Sequence, residues 1–149
     1  MANHYQNILV AIDGSKSAEY AFRKAIQVSL RNVGSTLYIV HIIDNRAFLA
    51  VNMGDTQLIE RIEQESRELL DSYVAEAVKA GVENVKAILE HGSPRTLIPT
   101  TLPKKLNVDL ILCGATGQNA VERFLLGSVS QEIVRQAKCD VLVIRTPEQ

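Results

Sequence analysis

The sequence is poor in cysteine, in charge of one sign and in long apolar runs. Its two cysteines, Cys113 and Cys139, stand neither in a C-x-x-C pair nor at zinc-ligand spacing. No apolar run approaches the ~18 residues that a membrane span requires. With 16 Lys and Arg against 17 Asp and Glu, the formal net charge is −1. That balance leaves no electrostatic footprint for nucleic acid or for an anionic membrane. The segment Met1–Gln6 lacks a basic n-region and runs straight into a strand pattern, so no signal peptide is expected. What is present is apolar and evenly spread: hydrophobic residues reach 46% of 149 residues, which excludes a disordered tail. A chain this long buries about 68–70% of its unfolded surface, enough for a core without disulfides or metal. The expectation is a soluble cytoplasmic protein, one domain over residues 1–149, with no nucleic-acid and no membrane partner.

Strand and helix patterns alternate, without a linker or low-complexity tract. Asn7–Asp13 is a nearly continuous apolar run, as in a strand covered on both faces. Ser15 is placed to cap the helix that follows, which carries Ala18, Ala21, Phe22, Ala25 and Val28 on one side. Thr36–Ile43 is a second strand. A loop from Asp44 to Asp55 leads to a helix over Thr56–Ala80, with Leu58, Ile62, Leu69, Tyr73 and Ala77 at three- and four-residue steps, stopped by Gly81. Asn84–Glu90 is a third strand. Ser93-Pro94 reads as an N-cap with proline at the first helical position. Pro99 and Pro103 then fall inside that helix, which predicts a kink, a break or a 3₁₀ piece. Val108–Cys113 is a fourth strand, Gly127–Ala137 a helix, and Asp140–Arg145 a fifth strand. Such alternation means βαβ units: an α/β fold, a doubly wound parallel sheet with helices on both faces. In these sheets the ligand sits beyond the carboxyl ends of the strands, where strand order reverses.

The loop after the fourth strand carries the chemical signal. Two residues separate Gly114 from Gly117, nine separate Gly117 from Gly127, and Ser128 follows. One reading is phosphate binding: glycines admit an anion close to backbone amides, and the helix start at Ser128 offers unpaired N–H groups and the positive end of a dipole. The other is a turn-rich loop closed by a capping box, Ser128-x-x-Gln131. The spacing matches no P-loop, no G-x-G-x-x-G and no G-x-S-x-G.

Gly114-x2-Gly117-x9-Gly127-Ser128, with Val10-Ala11-Ile12-Asp13-Gly14-Ser15 and Val40-His41-Ile42-Ile43-Asp44, resembles the universal stress protein family, and its ATP-binding branch in particular. The resemblance covers essentially the whole chain. It implies a five-stranded parallel sheet ordered 3-2-1-4-5, of the adenine-nucleotide alpha-hydrolase type, with Asp13 and Gly114 facing one crevice. It implies that Ala11 and Asp13 meet the nucleoside and Ile42 the adenine. Cys113, Gly114 and Gly117 would line ribose and phosphates, and Gly127, Ser128, Val129 and Ser130 would hold phosphates through amides and hydroxyls. The ligand would be ATP, or AMP or ADP, with Mg²⁺ or Mn²⁺ held through the phosphates and water rather than by the protein. The departure is Ala115-Thr116, where many members carry a basic or more polar pair. It bears on phosphate affinity, not on the fold. Arg123 is either a substitute charge or a solvated side chain.

Asp13 reads either as a turn aspartate or, opposite Gly114, as a ligand contact to ribose or adenine. His4, His41 and His91 lack metal spacing; His41 is expected to be hydrogen-bonded within its strand. Cys113 ends one strand and Cys139 precedes its parallel neighbour, roughly five residues of ~3.3 Å each apart, too far for a disulfide. Val141, Leu142, Val143 and Ile144 form an apolar edge strand that invites association, and the resemblance implies an isologous homodimer through it. The leading expectation is therefore a homodimeric, ATP-binding regulator of stress response. No catalytic residue is assigned, and at most slow ATP hydrolysis is expected. The alternative is an ATP-independent interaction or chaperone-like stress protein with a vestigial nucleotide site. An adenylate-forming enzyme would need a further substrate domain.

Overall fold

The computed structural model describes residues 4–44, 56–116 and 126–147. Five parallel strands form one sheet, in the order β3-β2-β1-β4-β5, as the resemblance implied. The central strand β1 (Asn7–Ala11) lies between β2 (Thr36–Asp44) and β4 (Leu110–Gly114), with Ile8 opposite both Leu37 and Leu110. β3 (Val85–Gly92) and β5 (Asp140–Ile144) are the outer strands.

The continuous apolarity of β1 has a direct cause. Side chains alternate across a strand, and here both faces are covered. Ile8, Val10 and Ile12 join Leu37, Ile39, Leu110 and Leu112 in the core on one face. Leu9 joins Val40, Ile111 and Cys113 on the other. Pairing ends earlier than Asp13: Ile12 N–H still reaches Val40 O at 2.8 Å, and Asp13 begins the turn.

The first face is covered by α1 (Lys16–Arg31) and α2 (Thr56–Lys79). Ala21, Phe22, Ala25 and Val28 are buried along α1, as their spacing predicts. Leu70 and Ala77 are buried apolar residues of α2, with Leu69 and Tyr73 beside them; Leu70 was not on the predicted stripe. The Phe22 and Tyr73 rings meet edge-to-face, with centroids 4.6 Å apart, a favoured aromatic geometry.

The other face is covered by a helical rod after β3 and by α5 (Ser128–Gln136). The rod consists of α3 (Pro94–Thr96), a π-helical turn (Leu97–Thr101) and α4 (Leu102–Leu106). The sequence predicted a kink, a break or a 3₁₀ piece; the structure widens the helix instead. Pro99 has no N–H to close an α-helical bond to Arg95. Leu102 N–H reaches back five residues to Leu97 O, and the Thr100 hydroxyl donates to Thr96 O at 2.6 Å. The widened turn keeps Ile98 and Leu102 in the core. Among the described residues, no helix is long and apolar enough to cross a membrane.

Candidate functional site

Strand order reverses between β1 and β4, and their carboxyl ends open into a cleft of about 160 Å³ that is continuous with solvent.

The first wall is the turn after β1. The Asp13 carboxylate accepts the Ser15 N–H at 2.9 Å, and Ser15 Oγ accepts the Ala18 N–H at 3.1 Å, capping α1. Gly14 supplies the left-handed residue of this turn, with φ +83°. His41 Nδ1 donates to Ile12 O at 2.9 Å, since a carbonyl can only accept. This bond ties β2 to the strand end beside Asp13.

The second wall is β4. A Cβ on Gly114 would stand 2.7 Å from the Ser17 carbonyl carbon and 2.8 Å from Ser17 Cβ. Glycine here serves the packing of α1 against β4, a role the phosphate reading of the motif did not foresee. Beyond it, Thr116 N–H reaches Ser17 Oγ at 3.3 Å, and Ala115 N–H pairs with Ile144 O at 2.9 Å.

The third wall is the start of α5. The Ala115 carbonyl accepts Gly127 N–H at 2.8 Å and the Ser130 hydroxyl at 2.8 Å, so one carbonyl pins the helix start to β4. Ser130 is buried, and Gly127 O lies 3.0 Å from the same hydroxyl. That hydroxyl proton is therefore committed inside the protein, and what Ser130 offers a ligand is its amide. The expected capping box is not formed. Gly127, not Ser128, is the N-cap, with φ −68° and ψ 168°. The Gln131 amide side chain turns to Leu126 O at 3.2 Å. The first intrahelical bond runs from Gln131 N–H to Gly127 O. The amides of Ser128, Val129 and Ser130 precede it, at the positive end of the helix.

Nine of the ten candidate residues thus meet at one place. Ala11, Asp13 and Ile42 come from the ends of β1 and β2, and Cys113 and Gly114 from β4. Gly127, Ser128, Val129 and Ser130 come from α5. Gly117, the tenth, lies outside the described residues, as does Arg123. The structure adds Ile98 and Ile133, apolar residues whose place in the cleft depends on how the rod and α5 pack. It also adds Arg95, whose guanidinium donates to Ser128 Oγ at 3.0 Å. Only its position, just after the third strand and next to Pro94, hinted at a role.

The lining is chemically quiet. Among the described residues it holds one carboxylate, Asp13, and no Lys, Arg or His. Burial pushes the Cys113 thiol up to about 12, so it stays neutral and is a poor nucleophile. The unfolded chain ionises this thiol near the ordinary value and the folded chain does not. Stability that is intact below pH ~9 is therefore lost as pH rises toward 12. Iodoacetamide at pH 8 should leave Cys113 unlabelled in the native protein and label it on denaturation; fast native labelling would contradict this burial. Both cysteines are free thiols. His91, at the end of β3, lies outside the cleft and pairs with Glu63 at 2.7 Å. Among the described residues, no cluster of three His, Cys, Asp or Glu could hold a metal ion.

The chain matches the universal stress protein family over residues 4–145. A protein of Staphylococcus haemolyticus carrying the universal stress protein name is 53% identical over 144 residues, 97% of this chain and 87% of that one. The fold resembles the universal stress protein UspA from Lactobacillus plantarum, with a TM-score of 0.85 and 27% identity over 97% of this chain and all of that one. It also resembles the universal stress protein from Archaeoglobus fulgidus in complex with dAMP, with a TM-score of 0.65 and 24% identity over 95% of this chain and 98% of that one.

Proposed function

Since this chain belongs to the universal stress protein family, we propose that it binds an adenine nucleotide between β1 and β4 and acts as a homodimeric, nucleotide-dependent regulator in the stress response. The observation that carries this reading is the convergence of Ala11, Asp13, Ile42 and the first-turn amides of α5 on one cleft at the reversal of strand order. The dAMP complex of the Archaeoglobus fulgidus protein supports the ligand class.

In this reading Ile42 and Ala11 pack on adenine. Asp13 faces the ribose, because a carboxylate beside phosphates would repel them. Cys113 and Gly114, with Gly117, border ribose and phosphates, and the amides of Ser128, Val129 and Ser130 hold the phosphates. The ligand is ATP, ADP or AMP. Mg²⁺ or Mn²⁺ would be carried by phosphate oxygens and water, since among the described residues the lining offers a single carboxylate as a hard ligand. The arrangement suits a binder, with slow ATP hydrolysis at most. β5, hydrogen-bonded within the sheet to β4 alone and exposing Leu142, is the proposed dimer seam through Val141–Ile144.

The second reading is an interaction protein with a vestigial nucleotide site. Ala115-Thr116 and the absence of a cation from the described lining favour it. Titration calorimetry with ATP and AMP separates the two. Saturable binding at one site per chain, in a sample that sediments as a dimer, is expected. No heat with either nucleotide would favour the second reading, and a concentration-independent monomer would remove the dimer.

A further inference from the structure

Building on that nucleotide reading, we propose that Arg95 supplies positive charge to the cleft and makes it selective for a phosphorylated nucleoside over the bare nucleoside. A nucleotide brings at least one doubly charged phosphate. The described lining offers it the Asp13 carboxylate and no cationic side chain. The α5 terminus contributes only about half an elementary charge. A cation held close to the described lining would favour a phosphorylated ligand.

Arg95 stands at that place. Pro94 lines the cleft, Arg95 follows it in α3, and the guanidinium crosses to α5 to donate to Ser128 Oγ at 3.0 Å. Ser128 is the first residue of α5, so the bond sets the charge at the mouth of the amide cluster assigned to the phosphates. It uses one of the five N–H groups of a guanidinium. The planar fork suits bidentate contact with phosphate oxygens, which a lysine cannot reproduce. Glu132, one turn along α5, has its carboxyl lowered chiefly by the Gln136 amide, then by Arg135, with the smallest contribution from Arg95. A basic residue on the rod after β3 thus takes the place of one missing from Ala115-Thr116.

The test compares adenosine, AMP and ATP on the full chain and on Arg95→Gln and Arg95→Lys, by calorimetry at two salt concentrations. The expected result is that wild type prefers AMP and ATP over adenosine. Arg95→Gln loses about tenfold or more of that preference, as for a charged hydrogen bond, and adenosine affinity and melting temperature stay unchanged. Arg95→Lys recovers part of the loss, and the salt dependence of AMP binding weakens in Arg95→Gln. Full phosphate preference in Arg95→Gln overturns the proposal. So does an equal loss for adenosine, or a lowered melting temperature, either of which makes Arg95 a structural latch between α3 and α5. A wild type that binds adenosine and AMP equally overturns the role of Arg95 while leaving a nucleoside cleft. A wild type that binds none of the three overturns the nucleotide reading itself.

Discussion

Gly114→Val is expected to lower stability by about 3 kcal/mol or more, the upper range for overpacking a close contact. For a chain of this size that is a fall in melting temperature of about 6–12 °C. The cause lies away from any ligand. The first new carbon would already sit 2.7 Å from the Ser17 backbone, well inside van der Waals contact, and two methyls add to the crowding. α1 has little freedom to retreat. Its start is held by the Ser15 cap, and Ala18, Ala21, Phe22 and Ala25 are buried behind it. Ser17→Gly in the same chain should restore part of the loss and not all, because the Ser17 carbonyl carbon remains. Chemical denaturation without nucleotide reads this directly. A Gly114→Val protein as stable as wild type would show that α1 does not approach β4 this closely.

Gly127→Val is expected to do the opposite: to keep the fold and lose the ligand, by about a hundredfold in affinity, or about 2.7 kcal/mol. The backbone at Gly127 is extended, with φ −68° and ψ 168°, which any residue adopts. Its N–H to Ala115 O and its carbonyl to the Gln131 N–H are main-chain bonds that valine retains. The branched side chain would add bulk to the cleft wall that Gly127 forms beside the first-turn amides. Melting temperature should fall by no more than a few degrees, the cost of a poorer cap, and calorimetry should show binding nearly abolished. Wild-type affinity in Gly127→Val would move the phosphates away from the start of α5. The two glycines thus share a motif and carry different predictions: Gly114 makes room for Ser17, and Gly127 borders the cleft.

That division was not legible in the sequence. A glycine needed for a helix packed against it looks the same as one needed for an anion, and only the meeting of Ser17 with β4 tells them apart. The strands were legible, because a run such as Ile8–Ile12 is apolar on both faces only when both faces are covered. The order of the sheet came from the resemblance, since periodicity says nothing of which strand neighbours which. The rod after β3 was half legible. Pro99 and Pro103 announced an irregularity, while the choice of a wider turn over a tighter one depended on burying Ile98 and Leu102. The cap of α5 was misread by one residue, because glycine and serine are both accepted at that position and Arg95 claims the Ser128 hydroxyl. The pairing of Arg95 with Ser128 was not legible because the two are 33 residues apart in the chain. The rule that ligands lie where strand order reverses pointed to the residues following the strands, and the resemblance, which supplied the order, narrowed them to those after β1 and β4.

One measurement bears on the central claim most directly: a crystal of the full chain grown with millimolar AMP. The expected result is density for one nucleotide per chain between β1 and β4, with the purine against Ile42, the ribose beside Asp13 and the phosphate on the amides of Ser128, Val129 and Ser130. The same fold with that cleft holding only solvent, or the nucleotide bound elsewhere, would contradict it.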